Sequence, residues 1–109
     1  MTKNKSTISK IKSLNELSII VKRLRSEGKT VALVTGCFDI VHFGHIELFR
    51  FAKMKADVLV VCIDSDSLVK NRKGVSRPIN SSKYRLEFLS ELSSIDYVGL
   101  RVKKCAFFK

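Results

Sequence analysis

The junction at residues 30–56 restricts the fold most. Thr30-Val31-Ala32-Leu33-Val34-Thr35 is a short, β-branched run with no polar alternation, the pattern of a strand buried on both faces of a parallel sheet. It stops at Gly36. From about Phe43 onward, Ile46, Phe49 and Ala52, with Leu48 nearby, fit a helix running to about Ala56. Asp57 then opens a second apolar run, Val58-Leu59-Val60-Val61-Cys62-Ile63. Strand, loop, helix and strand form a βαβ unit, which requires a parallel pair and a crossover helix on one face of the sheet.

The flanks extend the alternation. Ser13 followed by Glu16 is a capping-box pattern, and Leu14, Leu17, Val21 and Leu24 recur at helical spacing until Gly28 supplies a stop, which predicts a helix over about 14–26. Residues 1–12 are basic and turn-prone and read as a mobile arm. The stretch from Lys70 to Pro78 is basic and polar, carries the only proline, and reads as a loop. Ser81 or Ser82 can cap a helix whose apolar face would be Tyr84, Phe88, Leu89 and Leu92, and Ile95-Asp96-Tyr97-Val98 resembles the start of a further strand. The expected organisation is an arm over 1–12, one α/β domain over 13–98 and an atypical tail over 99–109.

A chain of 109 residues has room for one ordinary domain. With 45% hydrophobic and 28% charged residues it is neither disordered nor collagen-like nor a disulfide miniprotein. The net charge of +11 favours polyanionic partners such as nucleotides, phosphosugars or nucleic acid, while the scatter of lysines along the chain also describes an ordinary solvated surface. Cys37, Cys62 and Cys105 have neither CxxC spacing nor an even count, and so read as reduced thiols. No apolar segment follows Met1 and none approaches the ~18 residues of a membrane span, so the expected location is cytoplasmic.

The chemistry concentrates in Gly36-Cys37-Phe38-Asp39-Ile40-Val41-His42-Phe43-Gly44-His45, between strand and helix. Ligands of open α/β sheets sit beyond the carboxyl ends of the strands, where helix N-termini offer unpaired N–H groups to anions. Gly36 would let backbone approach a phosphate, and Gly44 would leave room for a ligand at the helix start. His42 and His45, the only histidines, are three apart and could both donate to phosphate oxygens and stabilise charge at a reacting phosphorus. A metal-binding pair is the competing reading and lacks a third ligand at supportive spacing. Asp39 also fits a loop or helix-capping acid. Asp64 and Asp66 follow a strand end, where carboxylates contact ligands or cap turns. Lys70, Arg72 and Arg77 fit either a phosphate-facing loop or a solvated charge run, and Arg85 fits a surface ion pair. Cys37 lacks the partner base that a nucleophile needs.

The residues GCFDIVHFGHIELF resemble the GxFDxxHxGH signature of the cytidylyltransferase-like nucleotidyltransferase superfamily. Lys73-Gly74 through Arg77-Pro78-Ile79-Asn80, and Tyr84-Arg85 to Asp96-Tyr97-Val98, are similar to its adenylyltransferase branch found in bifunctional ADP-heptose synthases, so that the resemblance covers residues 14–98. It implies a Rossmann-like α/β nucleotidyltransferase fold with a parallel sheet flanked by helices. It also implies transfer of a nucleotidyl group, AMP from ATP, to a sugar phosphate, heptose 1-phosphate above others, with release of pyrophosphate. Cytidylyl transfer from CTP to glycerol 3-phosphate is the alternative within the family.

By the same resemblance His42, His45 and Lys73 are catalytic. Thr35, Gly36, Cys37, Phe38, Asp39, His42, Gly44, His45 and Lys73 bind the nucleotide, Asp66 and Arg77 are candidate substrate or phosphate contacts, and Mg²⁺ accompanies the triphosphate with no direct protein ligand assigned, Asp39 being open between orienting the loop, contacting a ligand through water and helping to place the metal. Family members continue into further elements with a late ISTT-like motif that this sequence lacks. The chain therefore reads as C-terminally truncated, with weak or absent turnover and an unpaired sheet edge that would allow self-association, as in a homodimer. An inactive nucleotide-binding fragment and a basic nucleic-acid-binding module are the readings from another class, the latter without any recognised nucleic-acid fingerprint.

Overall fold

The computed structural model describes residues 5–102, in the order α1 (Lys5–Ile8), α2 (Leu14–Ser26), β1 (Val31–Gly36), α3 (Phe43–Met54), β2 (Val58–Asp64), α4 (Asp66–Lys73), α5 (Ser82–Ser90) and β3 (Tyr97–Arg101). The three strands form a parallel sheet in the order β1-β2-β3, with Val31 opposite Val58 and Val60 opposite Tyr97. This is the expected α/β architecture, a parallel sheet flanked by helices.

The central strand organises the core because both its faces are covered. Leu59, Val61 and Ile63 point to one side and pack with Phe49 of α3, Leu89 of α5, Ile95 and Val98. Val60 and Cys62 point to the other and pack with Leu17 of α2. All of these are at most 1% exposed, and each large aliphatic side chain so buried contributes about 1.5–3 kcal/mol before the cost of ordering it. Burial pushes the Cys62 thiol up to about 12, with Arg101 opposing, so this cysteine is an inert core residue.

Local sequence sets the boundaries. The Ser13 hydroxyl accepts from the Glu16 N–H at 3.1 Å while the Glu16 carboxylate accepts from the Ser13 N–H at 2.8 Å, and Gly28, at φ 81°, follows the end of α2. Asp57 ties β1 to β2 by accepting from both the N–H and the hydroxyl of Thr30. Among the described residues β1 pairs with β2 alone, so it lies at an edge and leaves Leu33 40% exposed, less buried than its apolar run predicts.

Several expectations need correction. Part of the expected N-terminal arm is structured: α1 forms, Ile11 bridges to Val98, the Lys12 N–H donates to the Val98 carbonyl and the Val98 N–H to the Lys10 carbonyl. Extended backbone beside an edge strand can satisfy that strand's free polar groups, which a composition argument does not register. Gly99, Leu100 and Arg101, assigned to the tail, complete β3, while residues 1–4 of the arm and 103–109 of the tail, with Cys105, lie outside the described residues. Lys70 to Lys73, read as loop, form the last turn of α4, where basic side chains complement the negative end of the helix dipole.

On α5 the inward residues are Arg85, Leu89 and Ser90, whereas Tyr84 and Phe88 are 65% and 53% exposed. The helix is therefore rotated from the orientation its aromatics suggested, because Arg85 finds enough acceptors inside to be buried.

Gly99 fixes the approach of α2 to the sheet. A methyl group there would come within 2.5 Å of Leu17 Cδ1 and 3.4 Å of the Lys12 carbonyl oxygen. Leu17 is itself fully buried and has little room to yield. Gly99→Ala is expected to destabilise the fold by about 1–3 kcal/mol, read as a lower urea midpoint at unchanged slope.

Candidate functional site

The carboxyl ends of the strands carry a cleft of about 330 Å³ lined by Cys37, Phe38, Asp39, Ile40, His45, Lys73 and Arg77. Its position follows from the βαβ unit: β1 delivers the loop after Gly36, α3 starts at Phe43, and α4, leaving β2 through Ser65, brings Lys73 to the opposite wall. The Ser65 hydroxyl caps α4 by accepting from the Leu68 N–H at 3.2 Å.

The two histidines cap α3 reciprocally. His42 Nδ1 accepts from the Gly44 N–H at 3.0 Å, and His45 Nδ1 accepts from the His42 N–H at 3.1 Å. Their ring centroids lie 4.2 Å apart. An Nδ1 that accepts a backbone N–H is unprotonated, so each neutral ring carries its proton on Nε2 and keeps that donor for another partner.

Gly44 makes this cap fit. A methyl group on it would stand 2.8 Å from His42 Cε1, so the glycine makes room for the His42 ring rather than directly for a ligand. Gly36 is similar, since its added methyl group would meet the Phe38 ring at 2.9 Å. That ring stands edge-on to His45 at 5.4 Å and against Phe49 at 5.3 Å, linking the loop to the core. Phe38 has φ 50°, a left-handed conformation that costs a non-glycine residue about 1–2 kcal/mol. The ring packing offsets that cost.

Asp39 joins two loops. Its carboxylate accepts from the Ile79 and Asn80 N–H groups, each at 2.7 Å, while Asn80 Nδ2 donates to the Asp39 carbonyl and Arg77 stands at 3.9 Å. Burial alone would push this carboxyl up, but the two backbone N–H bonds and the charges of Arg85 and Arg77 outweigh it and hold the group below its ordinary value.

Behind this clasp lies an ionic cluster built on two buried charges, Arg85 and Asp64. Arg85 is 2% exposed; its Nη1 donates to the carbonyls of Cys37 at 2.9 Å and Asp64 at 2.7 Å, its Nε to the Asn80 carbonyl at 3.1 Å and its Nη2 to Asp66 Oδ1 at 2.6 Å. Asp64, fully buried at the end of β2, accepts from Arg72 and, at 2.6 and 2.9 Å, from Arg101. So Asp64 and Asp66 are ion-pair partners, Arg72 reaches Asp64 from the surface with its side chain 43% exposed, and Arg85 is an interior hub rather than a surface ion pair.

Of the residues marked from sequence, Cys37, Phe38, Asp39, His45, Lys73 and Arg77 line the one cleft, with His42 and Gly44 against its His45 side. Thr35, Gly36 and Asp66 are not in its lining. Asn80 and Arg101 carry structural roles that sequence reasoning missed. Arg85 was detectable: it is four residues before Leu89, in phase with the buried side of α5.

An α/β protein of Rossmann-like type, with its cleft at the carboxyl edge of a parallel sheet and a histidine-capped helix beside it, is the class that this fold and site define. The chain belongs to the cytidylyltransferase-like family, whose profile matches residues 33–106. Among similar proteins are two named bifunctional protein HldE. The one from Sulfurimonas denitrificans is 43% identical over 88 residues, 81% of this chain and 18% of that protein. The one from Campylobacter jejuni is 45% identical over 89 residues, 82% and 19% respectively. The chain thus spans under a fifth of the length of these relatives. The crystal structure of the lipopolysaccharide core biosynthesis protein from Thermoplasma volcanium superposes with a TM-score of 0.61 at 35% identity, covering 67% of this chain and 58% of that one. No helix among the described residues is long and apolar enough to cross a membrane.

Two measurements check the electrostatics. Burial, and beyond it repulsion from the neighbouring His42 ring, hold the His45 pKa below its ordinary value of 6.5, so NMR titration should place it there and His42→Ala should move it upward. Because the folded value is depressed, the unfolded chain takes up this proton first; stability present above pH 6.5 is lost as pH falls through the folded value. For Asp39, Asp39→Asn is expected to cost about 1–3 kcal/mol near neutral pH. The folded pKa lies below 3.8, so the stability from this carboxylate is present above that pH and disappears as pH falls through the folded value. The gap in urea stability between wild type and variant should close over that window.

Proposed function

We propose that this chain provides the nucleotide site of a nucleotidyltransferase that transfers AMP from ATP to a sugar phosphate, heptose 1-phosphate being the acceptor the sequence resemblance favours. The observation that carries the reading is the reciprocal histidine cap. It commits both Nδ1 atoms to backbone N–H groups and keeps both Nε2–H donors for an anion beside a cleft that also holds Lys73 and Arg77.

In this reading an acceptor phosphate oxygen attacks the α-phosphorus in line. The new bond forms between that oxygen and phosphorus as the bond from phosphorus to the β-bridging oxygen breaks, and pyrophosphate leaves with its electron pair. No enzyme nucleophile takes part. His42 and His45 stabilise the charge that grows on the transferring group and leaving oxygen, Lys73 and Arg77 hold the phosphates, and orientation supplies much of the rest.

Mg²⁺ would supply charge neutralisation along the triphosphate. The neighbouring carboxylates do not form a holding set for it: Asp39, Asp64 and Asp66 are engaged by backbone N–H groups or guanidinium groups, and no cluster of three or more metal-ligating side chains occurs among the described residues. In this reading the ion enters with the nucleotide and is held chiefly by its phosphates.

The test is pyrophosphate release with ATP or CTP, each against heptose 1-phosphate and glycerol 3-phosphate. The expected result is release with ATP and heptose 1-phosphate above the other combinations, with His42→Ala or His45→Ala lowering kcat by about 10²–10³-fold. A preference for CTP and glycerol 3-phosphate would reassign base and acceptor. Nucleotide binding without release makes the chain a nucleotide-binding fragment. Salt-sensitive oligonucleotide binding, with nucleotide affinity indifferent to both histidines, makes it a basic nucleic-acid module.

A further inference from the structure

Arg85 does not line the cleft that holds His45 and Lys73, yet it touches the backbone of the loop that does. We propose that Arg85 is a positioning residue for the nucleotide site: by holding the Cys37 carbonyl inward, it turns the Phe38 N–H outward to a phosphate oxygen. The inference rests on the nucleotidyltransferase reading and extends it to a residue that touches no substrate.

The geometry of one peptide unit carries the step. The Cys37–Phe38 bond is trans, so its C=O and N–H point in opposite directions. The carbonyl is fixed on Arg85 Nη1 at 2.9 Å, on the buried side of the loop. The N–H of the same unit must then face away from Arg85, and Cys37 and Phe38 both line the cleft. No hydrogen bond among the described residues takes the Phe38 N–H. The left-handed Phe38 also gives the loop one half of the backbone arrangement that gathers successive N–H groups around an anion.

Arg85 is suited to this task because its planar fork is fixed from several sides. The carbonyls of Asp64 and Asn80 and the Asp66 carboxylate hold it, so the Cys37 carbonyl meets a donor that cannot swing away. A lysine at this position would bring one compact ammonium in place of a spread fork and could not span the same acceptors. Its own donors being so engaged, the guanidinium acts through the loop and not on the ligand.

The experiment is an NMR titration of the full chain with inorganic pyrophosphate and then ATP, following the Phe38 amide and the ring Nε2 signals of His42 and His45. In wild type all three should move. In folded Arg85→Lys the histidine signals should still move, the Phe38 response should be lost, and pyrophosphate affinity should fall about tenfold, the worth of a charge-assisted hydrogen bond. A Phe38 amide that responds equally in folded Arg85→Lys overturns the proposal. So does a wild-type Phe38 amide that stays still while the histidines respond.

Should Arg85→Lys not fold, Asp66→Asn removes the charged partner of Nη2 at a side chain 41% exposed and is expected to weaken the Phe38 response in the same direction. An unchanged response there also overturns the proposal. Silence of every signal toward pyrophosphate, ATP and CTP sinks the nucleotidyltransferase reading itself, taking the proposal with it; the histidine signals tell the two failures apart.

Discussion

A guanidinium taken out of water costs several kcal/mol unless its donors are all but satisfied, and that requirement at Arg85 dictates much of the arrangement around it. Its partners come from the end of β2, the start of α4, the loop after β1 and the segment before α5. Those four segments have to converge for the charge to be tolerated. The same convergence builds part of the cleft, because the loop after β1 and the segment before α5, which meet at Arg85, also carry Cys37 to Ile40 and Arg77 of its lining. Asp64 extends the cluster to Arg72 and Arg101, so the ends of β2, β3 and α4 are joined through a single buried carboxylate.

The framework was readable where one physical effect dominated. The run from Val58 to Ile63 could be satisfied only by cover on both faces, and it became the central strand. Ser13 and Glu16 announced the start of α2 because their reciprocal cap is local and needs no tertiary partner. Legibility failed where distant groups decided the outcome. Tyr84 and Phe88 looked like a core face, but Arg85 outcompeted them for the interior through acceptors that lie up to 48 residues away in sequence. The ends of the domain were missed for a similar reason, since Lys10 and Lys12 owe their order to backbone bonds with Val98.

The candidate site divides along the same line. Its contiguous part, from Cys37 to His45, was visible as a pattern, and Lys73 and Arg77 were added by resemblance. What neither pattern nor resemblance contained was the mechanical role of the residues: Asp39 as the bond between loops, the Phe38 ring as the link from loop to core, and the glycines as space for neighbouring rings. These are properties of shape, and a list of residue types does not encode shape. The overall charge of +11 is equally uninformative by itself. Here the useful distinction is between cations spent on internal carboxylates, such as Arg72, and those that line the cleft, such as Lys73.

The contact between Gly44 and the His42 ring has an evolutionary side. The volume that a side chain at 44 would need is already filled by imidazole, so a methyl group there is excluded only for as long as position 42 carries a ring. A lineage that exchanged His42 for a small residue would lift the restriction on position 44, and drift could then fill it. Once filled, position 44 would bar the histidine's return until the glycine was restored, so the two residues could be regained only in that order.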